Sequence, residues 1–419
     1  MESLKRMAAP YVLSAVAIVF APMVPAATIA SLGHAAGAQC AAADVDDAGD
    51  VVGSCTPANT NGPVVAWVSA VGGNEMPLAP LATGHSCVAQ GITQGKKVVG
   101  HCDDASLMNF TVVWNAASPT SPPVKLVPLA GLLGLLPPPD VGTSATGYNQ
   151  FGSVVGESVA GNGDFTAVVW TAGSGTPVQV SSRGDNCRAV DVQSQTATGN
   201  PIVLLDCPSG GLTISKIATP TGLLGAYVAA PLPLATRASD CIVTSINATG
   251  QILGTCEFSD LTKDPFSRAV LWLTPTSTPI TLNLPNSAGD LVGKASAGVA
   301  ENDAGDFIFQ YRTSDGRTNA GYLDINGNAA FFLPSLQAGT NVAAIGLSES
   351  GVVLGEATNA TEHGQPVTWS VGSPSLSIVP LFDGSLGGVA TAISPNGGFT
   401  VGSTIDSSHV EDAIEETLP

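Results

Sequence analysis

The sequence predicts an all-β fold, a β-propeller of about eight four-stranded blades closed by pairing of its N- and C-terminal strands, with seven blades as the alternative count. Three observations carry this. A turn-and-strand phrase recurs roughly every 47–55 residues, the tryptophans keep step with it, and the eight cysteines fall into sequential pairs around it.

The phrase is a small polar turn, a glycine, two or three β-branched residues and often a second glycine. It reads Asp47-Ala48-Gly49-Asp50-Val51-Val52-Gly53, then Lys96-Lys97-Val98-Val99-Gly100, then Gly152-Ser153-Val154-Val155-Gly156. Further copies stand at Gly199, Gly250, Gly305, Gly351 and Gly398, so that anchors at 49, 96, 152, 199, 250, 305, 351 and 398 are spaced by 47, 56, 47, 51, 55, 46 and 47. Self-similarity at such a period is the mark of a repeat architecture. Trp67, Trp114, Trp170 and Trp369 each lie 18 residues after their anchor, and Trp272 lies 22 after, next to a longer loop from Glu257 to Arg268. All five are expected on one repeat position, as aromatics packed between blades. A third mark is a Leu-x-Pro-Leu-like stretch at Leu78–Leu81, Leu126–Leu129 and Ile378–Leu381. Proline there reads as an outer edge strand, which need not donate on one side. Four short strands per repeat is blade arithmetic.

The last repeat ends early, with Asp412-Ala413-Ile414 as its third strand, while Thr28–Leu32 stands where other repeats carry a fourth. Pairing the two ends would complete that blade and remove exposed sheet edges.

The cysteine pairs are Cys40/Cys55, Cys87/Cys102, Cys187/Cys207 and Cys241/Cys256. Three of them straddle the glycine turn symmetrically, 9 residues before and 6 after the anchor, which places partners opposite each other across a hairpin. The fourth is centred on Ala197, in a longer turn. Directly opposed strand residues come within disulfide reach. Metal binding is the weaker reading, because Cys-x-x-Cys spacing and accompanying histidines are missing. Repeats without cysteines place Val342 opposite Ala357 and Val389 opposite Thr404.

Residues 1–27 read as a secretory signal peptide: Lys5-Arg6, an apolar run from Ala8 to Val24, and small residues after it. Cleavage is expected near Ala26 to Ala30, or later at Ala36-Gly37-Ala38. Residues 28–419 then form one propeller domain. With disulfides, this points to the periplasm or the exterior of a bacterium. No other stretch reaches the ~20 apolar residues of a spanning helix. The formal net charge is −19, near −20 once the +1 of the signal is removed. Such acidity argues against nucleic acid and anionic membranes as partners.

The repeats resemble those of bacterial extracellular HAF-type repeat proteins. Ser245-Ile246-Asn247-Ala248-Thr249-Gly250-Gln251-Ile252-Leu253-Gly254 is similar to that family's Ala-x-x-Ile-Asn-x-x-Gly-x-Val-Val-Gly unit, and Ala392–Gly397 is another copy. The His-Ala-Phe triplet is absent, with tryptophan on that strand instead. The resemblance implies propeller-like repeats in an exported protein and no activity.

Catalytic signatures are missing. His34, His85, His101, His363 and His409 show no metal spacing. No nucleophile elbow, phosphate loop or dinucleotide fingerprint occurs. Asp44–Asp50 and Asn302–Asp306 resemble calcium loops only faintly and fall on hairpin turns, where Asp and Gly are favoured for backbone reasons. No cofactor is expected. Two loops stand out for binding. One carries Phe258, Asp260, Lys263, Asp264, Phe266 and Arg268; the other is the apolar, proline-rich Ala130–Val141, whose simpler reading is a cover over the ring face. The leading expectation is a non-enzymatic exported module that binds a protein or glycan. The alternatives are a carbohydrate-active enzyme using channel-facing carboxylates, and a structural envelope component.

Overall fold

A computed structural model describes residues 28–32, 38–57, 62–131, 138–194, 200–221, 226–259, 266–282, 295–313, 315–324, 329–337, 340–358, 364–370, 373–379, 387–405 and 411–418. The signal-like segment lies outside them. Every described element is a strand, and the strands run in antiparallel groups of four. First strands are Gln39–Val45, Cys87–Ile92, Gly142–Tyr148, Arg188–Val192, Ala238–Ile246, Ser296–Glu301, Val342–Leu347 and Gly387–Ile393. Second strands begin at Val51, Lys97, Val154, Val203, Ile252, Asp306, Val352 and Phe399. Third strands begin at Val65, Asn109, Phe165, Leu212, Phe266, Thr318, Gly364 and Glu411. The fourth strands are mostly short, such as Met76–Pro77 and Val178–Gln179. In the last group the fourth place is taken by Thr28–Ser31, paired antiparallel with Glu411–Thr417. The fourth and fifth groups are joined by a parallel bridge between Ile214 and Cys241.

The turn between first and second strands explains the recurring phrase. Its first residue is always polar, and outside the fourth group, whose turn lies beyond the described residues, its side chain caps the turn. Asn149 Oδ1 accepts from the amides of Phe151 (3.1 Å) and Ser153 (3.0 Å), and Asn247 Oδ1 from Thr249 (3.1 Å) and Gln251 (3.0 Å). Asp46 does the same for Ala48 and Asp50, so the calcium-like sequence is a capped turn. The anchor takes positive φ, +76° at Gly49 and +84° at Gly250, which glycine adopts without cost. Lys96 holds the position at φ 58° and pairs with Asp46 and Asp50 of the preceding turn, both at 2.7 Å. Gly199 and Ala197 lie outside the described residues.

The second glycine of the phrase lies beneath a tryptophan. A Cβ on Gly254 would fall 2.4 Å from the Ile242 carbonyl and 2.8 Å from the Trp272 ring; at Gly355 the figures are 2.3 Å to Ala343 and 2.6 Å to Trp369. Trp114, Trp170, Trp272 and Trp369 share one register, opposite Val98, Val154, Ile252 and Val353. Trp67 does not: it pairs with Gly53, two residues earlier on the same face, and Ser69 fills the shared position. The last group departs too. Its turn is one residue longer, Ser394 N–H bonding to the Phe399 carbonyl, and the positive φ falls on Gly397. This slips the register, so Thr404 faces Gly388 and Val389 faces Ser403, not Thr404. Val342 does face Ala357.

At Leu78 and Leu126 the Leu-x-Pro stretch follows the edge strand instead of forming it, while Ile378 is the last residue of its edge strand. Leu78 and Leu126 donate the last ladder bonds, to Ala66 and Thr111. The carbonyl of the next residue accepts the indole N–H of the following group: Trp114 to Ala79 (2.7 Å), Trp170 to Val127 (3.0 Å), Trp272 to Pro233 (2.8 Å) and Trp369 to Pro334 (3.0 Å). At Ala79 and Val127 a following proline keeps the accepting residue extended, while at Pro233 and Pro334 the proline itself carries the accepting carbonyl. Pro380 lies outside the described residues.

The four disulfides form as expected, each within one group. They join Cys40 to Cys55, Cys87 to Cys102, Cys187 to Cys207 and Cys241 to Cys256, with Cα–Cα separations of 4.1, 4.1, 4.1 and 4.0 Å. Three pairs are direct ladder partners, Cys241 facing Cys256 as Cys40 faces Cys55 and Cys87 faces Cys102. The fourth differs slightly: Cys187 precedes its strand, and the bond to Cys207 lies one step beyond the last ladder pair, Arg188 with Asp206. The symmetry expected about the turn also needs correcting. From the pair that flanks the turn, such as Ile246 with Ile252, the first cysteine lies 5 residues away and the second only 4, as with Cys241 and Cys256. Cys187 and Cys207 keep the same distances from Val192 and Val203. A bulge in each first strand takes up the extra residue.

Hydrophobic clusters lie between successive groups. One of them joins Leu32, Cys40, Ala42, Val45 and Trp67 to Val401 and Ala413, from the two ends of the chain.

Candidate functional site

The β-bulge falls at the same place in every first strand, four residues before the turn cap. The register skips between Ala42 and Asp44, Ala89 and Gly91, Ala145 and Gly147, Ala189 and Asp191, Val243 and Ser245, Gly298 and Ala300, Ala344 and Gly346, and Ala390 and Ala392. A bulge re-aims the side chain after it. In the first and fourth groups that side chain is an aspartate, which reaches the next group. Asp44 Oδ2 accepts the Ile92 amide at 2.8 Å, and Asp191 Oδ2 accepts the Ile246 amide at 2.9 Å.

Tyr148, from the third group, lies across Gly91 of the second and donates its hydroxyl to Asp44 of the first at 2.5 Å. A Cβ on Gly91 would sit 1.9 Å from the Tyr148 oxygen, so the crossing requires glycine there. Burial raises the Asp44 carboxyl to about 6, against the pull of its Tyr148 and Ile92 bonds. Burial likewise raises Asp191 to about 6. Glu301, at the end of the sixth first strand, is pushed well above the ordinary carboxyl range by burial, with the charges of Asp191 and Asp303 adding to it. Neither of its oxygens meets a donor in hydrogen-bond geometry, although Ser245 and the Leu253 amide lie near enough to offset part of the elevation. Sequence reasoning missed this carboxylate layer. The signal was there, since an alanine stands four residues before the turn cap in most repeats.

A second polar layer links the turns themselves. Asn149 Nδ2 donates to Gln193 O (3.1 Å), Gln193 Nε2 to Ala248 O (3.0 Å), Asn247 Nδ2 to Asn302 O (3.2 Å) and Asn302 Nδ2 to Ser348 O (3.1 Å). Glu349 N–H bonds to Pro395 O at 2.7 Å, and Asn396 N–H bonds to Asp47 Oδ1 at 2.7 Å, joining the last turn to the first.

At the opposite ends of the strands lie the connecting loops. Of the six residues expected to bind ligand, Asp260, Lys263 and Asp264 lie outside the described residues. The other three come together. Phe258 and Phe266 are cross-strand partners with rings stacked at 5.5 Å and 11°, and the Arg268 guanidinium lies 5.0 Å from the Phe266 centroid. Arg268 is also the ladder partner of Cys256, so the stack is built directly onto the disulfide-bonded hairpin. Burial lowers the Arg268 pKa. This stack stands at the two strand ends that flank residues 260–265, which lie outside the described residues. The described part of Ala130–Val141 is clamped by Arg183, which donates to Ala130 O and Pro138 O at 3.0 Å each and pairs with Asp140 at 2.6 Å. His101 is half-buried beside Cys102, and burial lowers its pKa.

Among the described residues one group of three metal-ligand types comes close together, Cys40, Cys55 and Glu75. Its sulfurs are bonded to each other, so it offers no thiolate. Among the described residues no helix is long and apolar enough to cross a membrane. The disulfides are consistent with an extracellular or periplasmic protein.

No protein-family model matches the chain, and no curated protein matches it. Solved structures do. The β-propeller domain of the Trilobed protease from Pyrococcus furiosus, described as having an open velcro topology, is 9% identical; the match covers 83% of this chain and 99% of that one, with a TM-score of 0.52. Oligopeptidase B from Leishmania major is 10% identical over 88% of this chain and 54% of that one, with a TM-score of 0.49. Oligogalacturonate lyase from Vibrio parahaemolyticus is 8% identical over 88% and 97%, with a TM-score of 0.45. The likeness to the first is one of fold alone, and with the four-stranded sheets it makes this chain a disulfide-bonded β-propeller.

Proposed function

We propose that the chain is an exported, eight-bladed propeller that acts as a binding module for a protein or glycan, using its loop-bearing face around residues 257–268. The blade count rests on the four-strand groups, and ring closure on the pairing of Thr28–Ser31 with Glu411–Thr417 and the bonds from Asn396 to Asp47. Membership among HAF-type repeat proteins belongs to the same reading. The observation that carries the binding role is the Phe258–Phe266–Arg268 stack. It gives a charged loop, with Asp260, Lys263 and Asp264, a rigid base on two strands, the support a recognition loop needs. Asp44 and Asp191, by contrast, spend their oxygens on bonds between blades, which is a scaffold role. The test is a glycan array on the oxidised chain. Specific binding lost on replacing residues 260–264 with Gly-Ser supports the loop. Binding that survives the replacement overturns it.

One observation favours an enzyme acting on carbohydrate: Glu301, an unbonded carboxyl with a raised pKa near Asp191. A carboxyl whose pKa burial raises, close to a second carboxyl, is the arrangement of a general acid in glycoside hydrolysis. Turnover of a polysaccharide panel, abolished by Glu301→Gln, would support it.

A further inference from the structure

Four groups lack tryptophan at the shared register, with Ser69, Ala218, Leu323 and Glu416 in its place, and the fourth is among them. Where Trp114, Trp170, Trp272 and Trp369 stand in their groups, this one has Ala218, opposite Val203. Each of those indoles fills the gap to the preceding group and bonds to a carbonyl just past its edge strand. The equivalent carbonyl ahead of the fourth group belongs to Ser181, and Gln179 Nε2 takes it instead, at 2.7 Å. The edge strand here is only Val178–Gln179, while the facing third strand, Leu212–Thr221, is the longest described, at 10 residues. Between the third and fourth groups lies a cleft of about 500 Å³, lined by the edge residues Val178 and Gln179 on one side and by Lys216, Tyr227 and Ala229 on the other. That falls in the range of small-ligand sites, roughly 300–1,000 Å³.

The cleft is polar and held in shape. Asp185 accepts from Ser181 Oγ (2.8 Å), the Ser182 amide (3.1 Å) and the Cys187 amide (3.2 Å). Tyr227 is pinned by its hydroxyl to Pro201 O at 2.6 Å. Lys216, half-buried, is the one cation lining the cleft. It projects on the same face as Ala218, which packs toward the third group, and has no ion-pair or hydrogen-bond partner among the described residues. In a chain with 14 Lys and Arg against 33 Asp and Glu, a cation left unpaired is conspicuous, because carboxylates are plentiful.

We propose that this cleft binds an acidic sugar residue, a uronate of a polysaccharide, with its carboxylate on Lys216, its hydroxyls on Asp185 and Ser182, and its ring against Tyr227. A peptide carboxylate is less well served, since a two-residue edge offers almost no backbone for strand addition. The site lies apart from residues 257–268, so the inference stands whether or not that loop binds.

The test is calorimetric titration of the full oxidised chain with tri-galacturonate, and with its fully methyl-esterified form as the neutral control. Expected are binding of the acid, at least tenfold weaker binding of the ester, and at least tenfold weakening by Lys216→Met or by a rise in salt. Ala229→Trp, which fills the cleft from a half-buried lining position, should abolish binding. Lys216→Met keeps the aliphatic stem and should melt as the parent does. The proposal is overturned if neither sugar binds, if the ester binds as tightly as the acid, if both variants bind as the parent does, or if tetra-alanine competes where the sugar does not.

Discussion

Leu32 offers a sharp perturbation of ring closure. It follows the N-terminal strand, is fully buried, and donates its amide to the Ala413 carbonyl at 3.3 Å. Its cluster draws on both ends of the chain, with Cys40, Ala42, Val45 and Trp67 on one side and Val401 and Ala413 on the other. Leu32→Ala should cost about 3–4 kcal/mol, mid-range for burying an alanine where a leucine was. With an unfolding entropy of about 2.1 cal/mol/K per residue, a chain of this length melting as one unit would lose about 4 °C. Hydrogen exchange read by mass spectrometry is the discriminating assay. Protection should fall in peptides from Gln39–Ser69 and from Gly387–Thr417 together, while peptides from the middle of the chain hold theirs. Leu282→Ala, between the fifth and sixth groups, should loosen only its own neighbourhood. Exchange that rises at one end alone, or nowhere, would refute closure by the N-terminal strand.

Other expectations follow from the same contacts. Asp44 and Asp191 are raised to about 6, so the fold favours their neutral forms: their charge is a penalty above pH 6, relieved as pH falls toward 4. Thermal stability should therefore rise from pH 7.5 to pH 4.5, and Asp44→Asn should flatten that rise, at about 1.36 kcal/mol per unit a change of at most about 3 kcal/mol; a slope unchanged in the variant contradicts the assignment. Gly91→Ala should destabilise by more than about 2 kcal/mol in urea unfolding, because its Cβ meets the Tyr148 hydroxyl, and Tyr148→Phe in the same chain should recover little, since the ring carbons Cζ and Cε1 lie only 2.1 and 2.4 Å away. Replacing Cys87 and Cys102 by Val and Ala, the pair the seventh group carries at Val342 and Ala357, should fold and lose at most about 3 kcal/mol; failure to fold would mean that the bond does more than restrain the unfolded chain.

Much of the architecture was legible because its cause is local. A turn cap followed by a glycine and β-branched residues writes itself into the sequence at every repeat, and cysteines set either side of that turn come face to face. The pairing was right for all eight, Cys207 and Cys256 included, although the bulge that makes one arm of each hairpin a residue longer left no sign in the spacing. The errors arose from irregularities of the same kind. One extra residue between Ser394 and Phe399 slips Val389 by one position, and Trp67 keeps its distance from Gly49 yet pairs two residues off, because the hairpin before it is two residues longer than those of Trp114 and Trp170. The carboxylate layer left one sign, the alanine that stands before the turn cap in most repeats, which marks the bulges but not the side chains they bring together. Tyr148 and Asp44 are 104 residues apart, and only the bulges bring them together. The cleft was hidden for a related reason: its lining comes from two groups, Gln179 and Asp185 on one side and Lys216 and Tyr227 on the other, and repeat spacing does not say how two groups sit together.

The ring itself can be tested by a cross-link. Thr28 and Thr417 are opposed residues of the terminal pair. In a Thr28→Cys, Thr417→Cys chain, oxidation of the folded protein should join the two ends, seen by peptide mapping as one disulfide-linked N- and C-terminal fragment with the four native bonds retained. Two thiols that stay free in the folded chain, or that join only after denaturation, would show that the ends do not meet and that the eight-bladed ring is wrong.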